Sequence, residues 1–231
     1  MKGFIRIISM LMVLSLSFVV LTAQEDSTMT TDGHVFEIAV REIVDMEGFE
    51  ALSGELQALL QEQAGYIGNL QYTTFFSLAP EMAEGQVYAV GITEWESIEA
   101  YEASQTLMDN QTVVDYLATI ETVQNVVVEP FVIGEQITLD DFPQVGEVFE
   151  VAIRDLSSYE NPIHFLRTVR GFTDVLGEEE GVLREYEWLS VDGQYFVGMT
   201  RYADMEAFGS ASQSETVFGS PATSLLFAQY P

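Results

Sequence analysis

The sequence predicts an α+β fold built from two copies of a βαββαβ unit. A heptapeptide occurs twice, as VFEIAVR at residues 35–41 and as VFEVAIR at 148–154, with five identities. A second motif also recurs, as WESIEAY at residues 95–101 and YADMEAF at 202–208. Strand and helix patterns follow the two heptapeptides in nearly the same order, so the chain contains an internal duplication.

The first copy begins with apolar and polar residues that alternate at 35–41, the two-residue period of a strand. Phenylalanine and leucines then recur at helical spacing through 49–63, and Gly65 ends that helix. Aromatic and threonine residues at 66–78 favour a second strand. A turn containing Pro80 leads into a third strand.

The third strand is predicted at residues 86–93, and Ser97 then serves as the N-cap of a second helix, which restarts near 111–120. A valine-rich run at 123–132 is the fourth strand.

The second copy repeats this order after a Gly- and Pro-containing linker. Asn161 and Pro162 are a typical N-cap and first-turn pair for its first helix. The strands are predicted at 148–155, 182–190 and 194–202, and the last residues, 227–231, leave room for at most a stub of a fourth strand.

The N-terminus has the pattern of a secretory signal peptide. Lys2 and Arg6 precede an apolar run at residues 7–21, and Ala23 offers a small residue before a polar segment. The run is shorter than the roughly 20 apolar residues of a membrane helix. We therefore expect cleavage after Ala23, a secreted or periplasmic protein and no stable membrane association after cleavage, with an uncleaved anchor as the alternative. The predicted organisation is a signal peptide at 1–23, a flexible lead-in at 24–33, a first half at 34–132, a linker at 133–147 and a second half at 148–231.

Charge narrows the choice of partners. Beyond residue 23 the chain carries 37 acidic and six basic residues, a net charge of −31. Such a surface repels phosphate backbones, so nucleic-acid binding and binding to anionic membranes are disfavoured. Cysteine is absent, which excludes disulfides and thiolate chemistry. His34 and His164 have no further ligands at metal spacing, so no metal site is predicted.

A βαββαβ unit folds into a four-stranded antiparallel sheet with both helices on one face, and its other face needs cover. Two units in one chain can bury these faces against each other. The sequence therefore predicts a pseudo-two-fold monomer of two ferredoxin-like halves, and a homodimer remains possible.

The motif aromatic-x-Ser/Asp-x-Glu-Ala-aromatic, carried by residues 95–101 and 202–208, resembles the antibiotic biosynthesis monooxygenase family of the dimeric α+β barrel superfamily. The resemblance implies a dimeric-α+β-barrel-type fold. It also implies activities such as cofactor-independent oxygenation of aromatic polyketides or quinols, or haem degradation. The haem-degrading branch needs an asparagine in the first strand, a tryptophan before the second helix and a histidine within that helix. Trp95 matches the tryptophan, but the asparagine and the histidine are absent, so no cofactor is expected.

By this resemblance, Trp95 and Tyr202 are the candidate catalytic residues, but packing at the strand–helix junction is the preferred interpretation. Glu37 with Arg41 and Glu150 with Arg154 are ambiguous: we expect ion pairs between the two halves near the barrel interior, or else a polar site. The candidate pocket residues are Tyr72, Phe75, Trp95, Tyr101, Trp188, Tyr202 and Phe208.

Three functions remain open. The first is a cofactor-independent oxygenase acting on a small aromatic or quinone-like molecule. The second is a non-catalytic exported protein that binds a small apolar ligand in the same pocket. The third is a structural duplicate whose pockets are filled by side chains. An apolar cavity beside Trp95 or Tyr202 would favour the first two.

Overall fold

A computed structural model describes residues 11–14, 33–77, 86–131 and 137–229, with side chains throughout except at 11–14 and 74–77. The described residues fall into two compact units. The first half comprises 33–73 and 86–142, and the second half comprises 11–14, 74–77 and 143–229.

Strands and helices alternate in the order that the repeats predict. The described strands are β1 Leu11–Leu14, β2 Val35–Ile43, β3 Tyr66–Ser77, β4 Tyr88–Trp95, β5 Ile120–Pro130, β6 Val148–Asp155, β7 Val182–Ser190 and β8 Tyr195–Tyr202. The described α-helices are α1 Met46–Gln61, α2 Ile98–Ser104, α3 Gln111–Leu117, α4 Pro162–Leu176, α5 Met205–Ala211, α6 Glu215–Phe218 and α7 Pro221–Phe227. The predicted α+β class with tandem repeats is confirmed.

The first half is a complete βαββαβ unit whose antiparallel sheet has the order β3-β4-β2-β5. Its first helix begins where Asp45 accepts a hydrogen bond from the backbone N–H of Gly48 at 3.1 Å. Phe49 of α1 is buried and its ring lies 5.6 Å from that of Tyr116 in α3. The helices therefore cover one face of the sheet through a shared aromatic core.

The second half has the order β7-β8-β6-β1. Its helix α4 starts at the predicted cap, where Asn161 accepts from the N–H of His164 at 3.0 Å. Phe165, Val169 and Leu176 of α4 are buried against the sheet. The predicted stub of a last strand does not form in the described residues, because the chain after Ser220 turns into α7 and Phe227 is its last residue.

β1 lies inside the predicted signal peptide. It pairs antiparallel with the edge of β6, with Leu11 opposite Val151. Relative to the first half, this is the position that β5 occupies beside β2. Cleavage after Ala23 would remove β1, and the remainder of the predicted signal and most of the lead-in lie outside the described residues.

Each half repeats one close contact between a turn and a helix. Gly65 and Gly181 precede β3 and β7 with φ of +77° and +86°, a conformation that glycine adopts without strain. A Cβ on Gly65 would meet the Cβ of Ala100, and one on Gly181 would meet that of Ala207. The alanine of the recurring motif is thus explained by packing, since only a small residue fits over the glycine.

The segment between the repeats packs on the first half. Ile137 and Phe142 are buried, and the Phe142 ring lies 5.8 Å from that of Phe36 in β2. The N–H of Leu139 donates to the buried carboxylate of Glu94 at 3.2 Å. This part of the predicted linker therefore belongs to the core of the first half.

The described residues contain neither a helix suited to cross a membrane nor a metal-binding cluster. No helix among them is long and apolar enough to cross a membrane. No group of three or more histidine, aspartate or glutamate side chains among them is arranged to hold a metal ion.

Candidate functional site

Polar side chains form a row across the helix-covered face of the second-half sheet. Glu150 of β6 lies opposite Thr200 of β8, and Thr200 lies opposite Glu185 of β7. Tyr202 follows two residues after Thr200 and so points to the same face. Apolar side chains of α4, α5 and α6 pack around Tyr202 on this face.

A small cavity lies between this face and the helices. Its volume is about 30 Å³, room for one or two water molecules. Its charged residues are Glu150 and Arg154 of β6, and the remaining walls are largely apolar. Those walls are formed by Phe172, Leu176, Tyr202, Ala211, Ser212, Val217, Phe218, Leu226 and Phe227.

Glu150 is a buried carboxyl group with few compensating contacts. Only 8% of the residue is exposed. Burial raises the pKa of Glu150 to about 7, against the lowering effects of Arg154 and of a hydrogen bond from Tyr202. That bond runs from the Tyr202 hydroxyl to Oε2 of Glu150 at 3.4 Å. A carboxyl group that exchanges its proton near neutral pH is suited to act as a general base.

A second carboxyl group of the row is held in its protonated form. Burial, together with the charges of Glu187, Glu150 and Asp174, raises the pKa of Glu185 to about 9. The neighbouring Glu187 accepts a hydrogen bond from Thr173 of α4 at 2.8 Å. The second half therefore holds three carboxyl groups between its sheet and helix α4.

The same row in the first half has different chemistry. Register places Glu37, Thr93 and Asn69 at the positions of Glu150, Thr200 and Glu185, and Trp95 at that of Tyr202. The Glu37 carboxylate accepts a hydrogen bond from Asn125 at 3.0 Å. Among the described contacts, Glu37 thus has an amide partner, whereas Glu150 has a tyrosine hydroxyl.

Trp95 is packed among aromatic rings. It is 1% exposed, and its ring lies 5.6 Å from that of Tyr66 and 6.3 Å from that of Tyr101, both edge-on. Its indole N–H has no hydrogen-bond partner among the described residues. The Tyr66 hydroxyl donates to Asn69 instead, at 2.6 Å.

The structure brings some of the predicted pocket residues together and separates others. Tyr202 lines the cavity and its ring lies 5.3 Å from that of Phe208, just as Trp95 contacts Tyr101 in the first half. By strand alternation, Tyr72 lies on the opposite face of its sheet from Trp95. Trp188 likewise lies on the opposite face from Tyr202 and stacks on Tyr186 at 5.3 Å. The side chain of Phe75 lies outside the described ones.

The ambiguous glutamate–arginine positions have polar contacts within their own halves. Glu37 contacts Asn125, and Arg41 hydrogen-bonds to Tyr116 of α3. Arg154 lies close enough to Glu150 to lower its pKa.

Sequence reasoning did not single out Glu185. The available signal was a pair of carboxyl groups in a partly buried strand, where Glu185 and Glu187 alternate with Tyr186 and Trp188. Both faces of β7 are partly buried, so the alternation itself did not tell which face the helices cover.

Comparison with solved structures finds the same architecture at low sequence identity. A structure described as an anthrone oxidase-like protein is 14% identical, with a TM-score of 0.51, covering 88% of this chain and 89% of that one. A candidate chlorite dismutase, TA0507, is 12% identical, with a TM-score of 0.52, covering 83% and 88%. The chain has the dimeric α+β barrel fold. A candidate monooxygenase from Fusobacterium nucleatum is 11% identical, with a TM-score of 0.49, covering 81% and 83%.

At these identities the likeness shows the fold alone. No protein-family model and no curated protein sequence matches the chain.

Proposed function

We propose that the second half binds a small aromatic or quinone-like molecule and that Glu150 removes a proton from it. This proton transfer would be the first step of an oxygenation that uses dioxygen and no bound cofactor. The observation that carries the proposal is the carboxyl group of Glu150, buried on the wall of an apolar cavity with a pKa near 7. The anthrone oxidase-like description of one structure with this fold suggests which substrates to test first.

The chemistry fits a substrate with an acidic hydrogen next to an aromatic ring. The Glu150 carboxylate takes that hydrogen as a proton, and the electron-rich anion that remains reacts with dioxygen. For a methylene group between two rings, the products are a carbonyl group and water. One oxygen atom stays on the carbon, and the other leaves with the two hydrogens. Arg154 supplies positive charge at the cavity wall for the anion.

The cavity is too small for an aromatic ligand unless its wall moves. An apolar cavity that binds benzene has a volume of about 150 Å³, whereas this cavity has about 30 Å³. An aromatic substrate must therefore displace part of the wall. The wall formed by Phe218 and Phe227 is the most suitable part, because these residues lie on the short helices α6 and α7.

The small volume favours a second candidate, a duplicate whose sites are filled by side chains. Non-catalytic binding of a small apolar ligand in the same cavity is a third. Ligand binding separates the filled duplicate from the other two functions, and oxygen consumption separates the enzyme from the binding protein.

The test uses an oxygen electrode and a panel of anthrones and quinols, with protein that lacks residues 1–23 and no added metal or flavin. We expect oxygen uptake by the wild type, and a decrease of about 100-fold or more in Glu150→Gln. Glu37→Gln, the same change at the matching position of the first half, should leave uptake unchanged. Equal uptake by Glu150→Gln and wild type would rule out the proton-abstraction role. Ligand binding without oxygen uptake would favour the binding protein. Absence of both ligand binding and oxygen uptake would favour the filled duplicate.

Export is part of the proposal and rests on the signal pattern of residues 1–23. Expression of the full chain in a bacterial host should yield an exported protein that begins at Gln24. N-terminal sequencing of the periplasmic or secreted fraction is the measurement, and a full-length protein retained in the cell would contradict this part.

A further inference from the structure

Four side chains of the second half form a continuous chain of hydrogen-bonding groups. The Tyr202 hydroxyl donates to the Glu150 carboxylate at 3.4 Å. Thr200 precedes Tyr202 by two residues on the same face of β8, and its hydroxyl is close enough to lower the pKa of Tyr202. Thr200 Oγ1 lies 3.4 Å from Oε1 of Glu185. The two 3.4 Å contacts are long for hydroxyl hydrogen bonds, so proton transfer requires each pair to approach by about 0.6 Å.

The two ends of this chain lie in different surroundings. Glu150 lines the 30 Å³ cavity with its apolar walls. Glu185 lines a groove of about 350 Å³ between α4 and β7. Asp174, Glu178 and Leu183 of this groove are exposed, so the groove is open to water. The row of side chains therefore connects an enclosed carboxyl group with one that borders a groove open to water.

We propose that Tyr202 and Thr200 relay protons between Glu150 and Glu185, so that the enclosed carboxyl group exchanges its proton with water in the groove. This inference rests on the proposed function for its purpose, because a base that has taken a proton must release it before the next turnover. The four groups themselves are observed independently of any substrate.

The relay takes up one proton at Glu150 for each proton that it releases from Glu185. Glu185 first releases its proton to water in the groove and becomes a carboxylate. Glu150 then passes its proton to the Tyr202 oxygen, Tyr202 passes its own to Thr200, and Thr200 passes its own to Glu185. One proton has entered at Glu150 and one has left from Glu185. Both hydroxyl groups keep their hydrogen, and rotation about their C–O bonds restores the starting arrangement.

The charged groups around the four side chains favour proton transfer from Glu150 towards Glu185. Arg154 lies beside Glu150 and favours its carboxylate form, in which it can accept a proton. Glu187 and Asp174 lie near Glu185 and favour its protonated form. At rest the transferable proton is thus held at the groove end, and the cavity end is ready to receive one.

The first half provides a natural comparison, because its row has the same backbone register without the relay. Asn69 stands in place of Glu185, and Trp95 stands in place of Tyr202. Neither an amide nor an indole can accept one proton and donate another in this way. Thr93, the counterpart of Thr200, therefore has no relay partner at either of these positions.

The test measures how fast Glu150 takes up a proton when no substrate is present. A rapid pH jump from 9 to 5 is followed by stopped-flow infrared spectroscopy of the carboxylic C=O stretch, and the Glu150 band is assigned from its loss in Glu150→Gln. We expect Thr200→Val to slow proton uptake by Glu150 about tenfold or more. Thr93→Val, the same change at the matching position, should leave the rate unchanged.

Tyr202→Phe is the second relay variant, since it keeps the ring and removes only the hydroxyl group. It should also slow uptake, and it carries the test if Thr200→Val does not fold. Wild-type rates in the folded relay variants would overturn the relay. Turnover is measured separately. Slow uptake in the relay variants, together with undiminished turnover in Glu150→Gln, would support the relay and refute the proposed function.

Discussion

Replacing Glu185 by glutamine should stabilise the protein, although the change removes a hydrogen-bonding acid from a strand. In the fold, the pKa of Glu185 is raised from 4.5 to about 9, chiefly by burial. Folding at neutral pH therefore requires this group to take up a proton that it lacks in the unfolded chain. Glutamine resembles the protonated acid in size and polarity, so it keeps the packing without requiring proton uptake.

The size and the pH dependence of the effect follow from linkage. Each pKa unit is worth about 1.4 kcal/mol. The pKa in the fold is raised, so the stability contribution of Glu185 is fully present below pH 4.5 and is lost as pH rises towards 9. Glu185→Gln should therefore change the free energy of unfolding little at pH 4. The gain should be about 3 kcal/mol at pH 7 and about 6 kcal/mol at pH 9 and above.

Urea unfolding followed by tryptophan fluorescence at pH 4, 7 and 9 measures these differences. Glu180→Gln, an exposed position in the same half, is the control and should show no comparable trend. A Glu185→Gln variant that is less stable than wild type at pH 7, or a difference that does not change with pH, would refute the reasoning. Either result would mean that Glu185 is ionised in the fold.

Other consequences concern packing, capping and charge. Gly181→Ala should lower the free energy of unfolding by about 2–3 kcal/mol in urea, because it combines a positive φ with a collision against Ala207; an unchanged midpoint would contradict the close contact. Asn161→Ala should cost about 1 kcal/mol through loss of the α4 cap, and Asn161→Asp should restore most of it. Phe142→Ala should cost about 3–5 kcal/mol, and a cost below 1 kcal/mol would show that this ring is not part of a core. The wild-type melting temperature should rise as salt is increased, because acidic side chains repel one another; no salt dependence would contradict this.

Much of the fold could be read from the sequence because its signals are local. Ser97 begins the second helix of the first half as the predicted cap, and Asp204 takes the same position in the second half; both side chains accept backbone hydrogen bonds. Gly65 and Gly181 form positive-φ turns between the first helix of each half and the strand that follows it. The two copies reinforced each other, since a weak pattern in one half was supported by the same pattern in the other.

The candidate site was harder to predict because it depends on register. Between Val182 and Arg184 the pairing of β7 with β8 shifts by one residue. This irregularity places Glu185 opposite Thr200, in line with Glu150 on the helix-covered face. A pattern of alternating residues does not reveal such a shift. The sequence analysis also did not predict helix α7, which follows where the first copy has a strand.

The segment that follows β5 determines where the protein can be divided into separately expressed halves. The repeated sequence of the first copy ends near residue 132, but Phe142 and the backbone of Leu139 complete the surroundings of Phe36 and Glu94. A fragment that stops at the repeat boundary would leave an aromatic pocket open and remove one donor from a buried acid. The unit that was duplicated and the unit that can be expressed alone are therefore different lengths of polypeptide.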